Sequence, residues 1–371
     1  MSRPQAPPKR ASVALRGISP DGVGRIKWWL KVLRLGIDVA RRRAVLPFGP
    51  RVSLGLLRRG FMPQSQIVYG LDRNDPRDYV SDRQRELTWT LNWPAAGLLD
   101  DKLAFFFMLD HAGIPTPGVH AVIKDGRVHP LDAPGPGGAP ERWLEDRLRQ
   151  SGRLVVKPIR SGGGEGILML EHAGDELRLN GEPVSRIALG QRLAELDDSL
   201  VSEFVEQGAY AQAIFPGTPN SLRVLTLHDR HDGPFLASAA HRFGTSRSVP
   251  VDNWSRGGLS AGVDVASGLL GAAVGLPRDG ELVWHERHPD TGAPIAGVRV
   301  PGWERVREGL LELAARTAFL PYVAWDVVVT DDGYAVLEGN KFSALNVMQV
   351  HEPLLATDRV RAFYAQQGIL G

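Results

Sequence analysis

The 371-residue chain contains no cysteine. That excludes a disulfide framework, a thiolate nucleophile, an iron–sulfur cluster and any cysteine zinc site. A reducing compartment fits, and the expected location is the cytoplasm. No uncharged apolar run reaches the ~18 residues of a spanning helix. The opening MSRPQAPPKR is basic, but no apolar h-region follows it promptly, which disfavours secretion. Glycine (42) and proline (27) are plentiful without a G-X-Y period, so collagen is excluded. There is no internal repeat. The phosphate loop G-x-x-x-x-G-K-S/T is missing, and no G-x-G-x-x-G sits in a Rossmann setting.

What is present is an ordinary globular composition, 43% apolar and 23% charged. The length predicts two or three units at roughly 100–200 residues each. A net charge of +2 conceals a polarity. Residues 1–60 hold 14 Lys or Arg against two acids, and residues 61–371 hold 30 against 40. A nucleic-acid enzyme more often spreads positive charge over its catalytic body, so no nucleic-acid partner is expected.

Four segments are expected: a basic helical leader at 1–60, a substrate-side domain at 61–130, a lobe at 131–208 and a larger lobe at 209–371. In the leader, Ile26, Trp29, Leu33, Ile37 and Ala40 predict a helix over 24–43 with Trp28 at the edge of its stripe. Arg41, Arg42 and Arg43 suit its C-terminus. Three readings stay open for it: packing on its own body, contact with an anionic membrane or lipid carrier at the inner membrane face, and docking on a protein partner. The body reads as α+β with antiparallel hairpins.

The sharpest chemistry lies in the last hairpin, Val323–Val329 and Tyr334–Leu337 around an Asp331-Asp332-Gly333 turn. It brings Asp326 near Glu338, and the two-residue spacing sets Glu338 and Asn340 on one strand face. Two carboxylates and an amide carbonyl suit Mg²⁺, with Mn²⁺ as a substitute. A polar strand end without metal has the same local pattern. Upstream, Lys157 sits in the apolar strand Leu154–Pro158, followed by the loop Ser161-Gly162-Gly163-Gly164-Glu165-Gly166 and a return strand. A lysine stem crossing apolar surface presents its ammonium to a phosphate, and loop N–H groups add to that. In Glu203-Phe204-Val205-Glu206, the apolar pair offers backbone to an adenine edge and Glu206 offers a ribose acceptor. An ordinary strand end reads the same way.

Taken in order, the segments RRGFMPQSQIVYGLD, LDDKLAFFFMLDHAGIPTP, LVVKPIRSGGGEGI, LVSEFVEQ, PNSLRVLTL, HRFG, VDNWSRGG and AWDVVVTDDGYAVLEGNKFSALNV resemble the ATP-grasp superfamily. They span roughly residues 58–348 and look closest to its sugar-transfer-associated branch, which includes teichuronic-acid biosynthesis ligase-like proteins. The resemblance implies an ATP-grasp fold with the nucleotide between two α+β lobes. It implies that Lys157 and Lys102 contact the nucleotide and that 161–166 forms a lid. It places Glu203 to Glu206 at the nucleoside, and Asp326, Glu338 and Asn340 at the metal. Arg223, Arg242, Asn253 and His241 are the candidates for the reacting groups. A guanidinium fork clamps a γ-phosphate, a carboxylate or an acyl phosphate; a structural ion pair or an exposed cation reads the same way, and His241 reads equally as a proton carrier or a structural residue.

The implied activity is an ADP-forming carboxylate–amine ligase that uses ATP and Mg²⁺ and passes through an acyl phosphate. Its substrates would be a small-molecule carboxylate and an amine, from a cell-envelope sugar or another small metabolite. The alternatives are a small-molecule kinase on the same Mg–ATP site and a regulatory ATP-binding module. The oligomeric state stays open.

Overall fold

A computed structural model of the chain describes residues 26–34, 53–131, 140–162, 164–174, 176–277 and 280–370. The described residues form two seven-stranded antiparallel sheets. The first holds β1 (Val119–Lys124), β2 (Arg127–Pro130), β3 (Arg153–Pro158), β4 (Leu168–Ala173), β5 (Glu176–Leu179), β6 (Glu182–Pro183) and β7 (Ser199–Glu203), in the order β2-β1-β7-β3-β4-β5-β6. The expected boundary at 130/131 therefore falls inside this sheet, because β1 pairs with β7. The second sheet holds β8 (Leu222–Asp229), β9 (Gly233–Phe243), β10 (Leu259–Val263), β11 (Leu270–Val274), β12 (Trp284–His285), β13 (Tyr322–Val329) and β14 (Tyr334–Asn340), in the order β12-β11-β10-β9-β8-β13-β14.

Strand alternation decides which residues the first sheet sends to its core. Leu154 and Val156 of β3 pack with Leu144, Leu148, Leu189 and Leu193 from the helices Pro140–Ser151 and Arg186–Ala194. Lys157, one residue on, belongs to the opposite face. The helix Lys102–His111 meets the end of β3. Asp101 caps it by accepting from Leu103 N and Ala104 N, and also pairs with Arg160 at 2.8 Å. The Lys102 amide donates to Ile159 O at 3.1 Å. Two lysines distant in sequence thus start from neighbouring backbone.

The second sheet is covered on both faces. Val323, Trp325 and Val327 of β13 pack with Val306, Leu310 and Leu313 of the helix Trp303–Arg316. On the other face, Leu225, Leu227, Ala240, Tyr322 and Ala324 join Val360 and Phe363 of the helix Asp358–Gln366. That second face turns polar along three adjacent strands: Leu225 gives way to Arg223, Ala240 to Arg242 and Ala324 to Asp326. A register shift then sets the fourth strand. Asp326 lies opposite Glu338 but Val327 lies opposite Val336, so Leu337 is the extra residue of a bulge. Without it, Glu338 would share the face of Val336, which lies in the apolar core.

Gly339 sits between the two predicted ligands and turns the other way. A Cβ there would lie 2.8 Å from Leu99 Cδ2, 3.0 Å from Phe105 and 3.1 Å from Trp325. Phe105 belongs to the helix that begins with Lys102. The missing side chain therefore lets that helix seat against β14.

Residues 26–34 are helical, within the expected 24–43; the remainder of that prediction lies outside the described residues. The stripe is placed differently from the expectation. Trp28 is buried against the body at 5% exposure, while Ile26, Trp29 and Leu33 are exposed. The helix turns this way because Lys31 pairs with Glu86 and Lys27 stands 3.6 Å over the Trp89 ring, on the side that Trp28 anchors.

Gly339→Ala is expected to lower stability by about 1–3 kcal/mol through overpacking. Urea midpoints of the two proteins measure this; an unchanged midpoint would mean that the helix yields freely.

Candidate functional site

A cavity of about 460 Å³ opens between the two sheets. Lys157 and Gly164 line it from the first sheet's side, and Lys102 from the helix seated on β14. Arg223, Arg242, Asn253, Asp326, Glu338 and Asn340 line it from the second. These nine predicted residues converge from seven separate stretches of chain.

Its centre is a buried charge cluster. Asp326 accepts a forked pair from Arg223, through Nε to Oδ1 and through Nη2 to Oδ2 at 2.8 Å. It also accepts from Arg242 Nη2 at 3.0 Å. Arg242 reaches Ser221 Oγ as well, and Ser221 donates through both its amide and its hydroxyl to Asp252. Burial presses the Asp326 carboxyl up, but the two guanidiniums outweigh it and hold it below the usual carboxylate range. Burial also works against the Arg242 charge, and the carboxylates of Asp252, Asp326 and Glu338 overcome it, so Arg242 stays protonated.

Glu338 behaves in the opposite way. Burial and the neighbouring Asp326 charge push its carboxyl above the usual range. Asn340 donates from Nδ2 to Ala324 O at 3.3 Å and to Glu338 Oε1 at 3.4 Å, which leaves its Oδ1 out of both bonds. Among the described residues, no three or more His, Cys, Asp or Glu side chains gather in a metal-holding group. The donor set is thus two carboxylates and an amide oxygen, all hard. Three guanidinium bonds occupy most of the roughly four acceptor positions of Asp326, leaving about one for a cation. The set fits a divalent ion whose remaining ligands come from phosphates. Such an ion would offset the repulsion that raises Glu338.

Across the cavity, burial lowers both lysines. Lys157 is pushed down to about 8 by burial, with Glu338 pulling it back up and Lys102 pressing it further down. Lys102 is lowered by burial first, against the charges of Glu338, Asp100 and Asp101. Its ammonium donates to Ser161 O at 2.6 Å, at the start of the glycine loop. Gly164, with φ of +75°, lies so close to Val251 that a Cβ would stand 2.9 Å from its Cγ1. The loop therefore rests on the opposite side of the cavity. Ser161 and Gly162 are not among the residues that line it, and Gly163 lies outside the described residues.

The family model of sugar-transfer associated ATP-grasp proteins matches residues 82–363. The chain belongs to the sugar-transfer associated ATP-grasp family. The ATP-grasp fold expected from sequence is therefore the fold of this chain, with its two sheets on either side of the cavity. No curated protein matches it. Solved ATP-grasp structures resemble it at low identity. The VanG D-Ala:D-Ser ligase of Enterococcus faecalis is 14% identical, with a TM-score of 0.40 over 74% of this chain and 63% of that one. The D-alanine–D-alanine ligase of Bacillus anthracis is 13% identical, with a TM-score of 0.39 over 75% and 71%. The ligase PsnB, solved with a phosphomimetic variant of its minimal precursor, Mg and ADP, is 13% identical, with a TM-score of 0.37 over 75% and 61%. The chain thus spans about three fifths of the length of PsnB.

Two parts of the sequence-based site for this ATP-grasp chain lie outside this cavity. The segment Glu203 to Glu206 does not line the cavity. β7 ends at Glu203, whose carboxylate accepts from Gly118 N at 2.9 Å, and Glu206 pairs with Arg153 at 2.8 Å. The Arg153 guanidinium also lies 5.2 Å from the Phe204 ring centre. His241 is fully buried outside the cavity, stacked on Phe243 at 4.2 Å. Burial lowers its pKa to about 3, so the ring is neutral. With Nδ1 donating to Arg242 O at 3.1 Å, Nε2 accepts from Tyr210 OH at 2.8 Å. It supports the Arg242 backbone and has no access to a reacting proton.

Asn253 lines the cavity, but its Oδ1 is spent on the Ser255 amide and hydroxyl in a local turn. The sequence reading missed Arg85, Ser221 and Asp252, all of which line the cavity. Asp252 carried a readable signal, an acid beside Asn253 and before a double glycine. Arg85, which reaches Phe342 O and Ser343 O, carried none.

Asp326→Asn should destabilise the protein by on the order of 3 kcal/mol, because two buried guanidiniums lose their counter-charge. Glu338→Gln removes a carboxyl that burial already disfavours, so its unfolding midpoint should equal or exceed that of the wild type. Paired urea titrations check both, and equal losses would contradict this division of roles.

Proposed function

We propose that this chain is an ATP-dependent carboxylate–amine ligase that forms an amide through an acyl phosphate. Its carboxylate or amine would come from a cell-envelope sugar or a related small metabolite. Membership of a sugar-transfer associated ATP-grasp family supports the nucleotide and the sugar connection. One observation supports ligase over kinase chemistry. The cavity is rich in fixed cations, while two of its three carboxylates are engaged, Asp326 by two arginines and Asp252 by Ser221, and the third, Glu338, is the one that the metal would take. A hydroxyl acceptor needs a base to remove its proton. A carboxylate nucleophile needs none, only cations that hold it against the phosphoryl group.

Lys157 and Lys102 would bind and orient the nucleotide phosphates. Arg223 and Arg242, fixed in position by Asp326, would align the carboxylate with the γ-phosphorus. A carboxylate oxygen bonds to that phosphorus as the bond to ADP breaks. The amine nitrogen then bonds to the acyl carbon, phosphate departs, and the amine proton passes to solvent. Glu338, Asn340 and one position of Asp326 would hold Mg²⁺, which neutralises phosphate charge when bound. The glycine loop resting on Val251 would keep water from the acyl phosphate.

Labelling the carboxylate with ¹⁸O tests the order of bonds. One labelled oxygen should leave in inorganic phosphate during turnover with ATP and amine. A phosphorylated hydroxyl product indicates a kinase, label in AMP indicates adenylation, and either result overturns the reading. Glu338→Gln should slow turnover about 100-fold, the loss of one positioned electrostatic contact; near-normal turnover would remove Glu338 from the metal.

Lys157 adds a pH dependence. Burial lowers its pKa to about 8 in the protein alone, and nucleotide phosphates would stabilise its charged form. Nucleotide binding above pH 8 should therefore take up a proton, and affinity should fall as pH rises through that value. Calorimetry in buffers of different ionisation enthalpy measures the uptake; Lys157→Met should abolish it.

A further inference from the structure

Among the described residues, one side of the leader helix is fastened to the body. Trp28 is buried, Lys31 pairs with Glu86, and Lys27 covers Trp89. Its outward side is apolar: Ile26 is 45% exposed, Trp29 66%, Leu30 59% and Leu33 60%. Those four positions follow the spacing i, i+3, i+4, i+7 and make one continuous stripe. An exposed tryptophan beside three exposed aliphatic side chains is costly in water unless something covers it.

The chemistry of the flanking sequence identifies the cover. Residues 1–25 and 35–52 carry nine Lys or Arg and two Asp. The helix thus stands between two strongly cationic stretches, whereas the rest of the chain beyond residue 60 is net negative. An acidic body favours no general attraction to anions; the attraction is confined to the leader. Apolar side chains that include tryptophan, flanked by dense positive charge, match the two layers of an anionic bilayer surface: acyl boundary and headgroups. A second copy of the chain would bring the same positive charge to the same face, which repulsion disfavours. We infer that the exposed face of residues 26–34 docks this protein on an anionic phospholipid membrane.

The docking face lies near the reaction cavity. Lys27 covers Trp89, and Trp89 packs edge-on against Phe342 at 5.8 Å. Phe342 lines the cavity, as does Arg85, whose guanidinium lies 3.8 Å from the Phe342 ring. A membrane contact at residues 26–34 therefore sets this cavity wall close to the lipid surface.

Vesicle sedimentation of the full chain tests the inference. The probes are vesicles of phosphatidylcholine alone and of phosphatidylcholine mixed with phosphatidylglycerol. The wild type should partition to the anionic vesicles about tenfold or more above the neutral ones, and high salt should release it. Trp29→Glu combined with Leu33→Glu should lower that partition about tenfold or more. Both positions are exposed, so the unfolding midpoint should not move and serves as the folding control. Absent binding to anionic vesicles overturns the inference. So does unchanged binding of the double variant, which would leave the charge alone responsible. A wild-type dimer in light scattering that the double variant dissolves would assign the face to a second copy and also overturn it.

Discussion

Asp326 holds two guanidiniums in one buried knot, and the geometry of the cavity follows from it. A lone carboxylate there would be expensive, and so would either arginine without it. Together they form a cluster in which each charge justifies the burial of the next. Ser221 and Asp252 extend it by answering Arg242 from the far side. The result is a set of donors whose directions are fixed before any substrate arrives. Glu338, placed opposite Asp326 by the bulge, is the member whose charge the protein alone does not satisfy.

The bulge and Gly339 make that cluster answerable to the other side of the cavity. Strand alternation sends Glu338 and Asn340 inward and Gly339 outward, onto Leu99 and Phe105. Phe105 shares its helix with Lys102. The same three residues thus present two candidate ligands and seat the helix that carries Lys102.

Local pattern made much of this legible. A hairpin with a two-residue ligand spacing announced Glu338 and Asn340, and a lone lysine in an apolar strand announced Lys157. Both signals sit within one or two strands, where alternation is a reliable guide. Glu203 to Glu206 stays outside the cavity although the strand is real: it stops at Glu203, and Arg153 engages Phe204 and Glu206. His241 looked reactive because burial is invisible in a neighbour-by-neighbour reading. Arg85 and Ser221 act through partners far along the chain, and nothing local marks them. In the leader, periodicity found the stripe and left open which way it faced; the pairing of Lys31 with Glu86 decides that.

The cavity is built on two mechanically different supports. The arginines, Asp326 and Glu338 lie on one face of a sheet whose neighbouring residues on that same face are close-packed core. Lys157 belongs to a separate sheet with its own core. Any hinge between the sheets would therefore change one family of distances, Lys157 to carboxylate, and leave the arginine–carboxylate spacings alone. A nucleotide spanning both supports would act as a strut, with its phosphate chain setting the gap between a stiff floor and a separately hung ceiling.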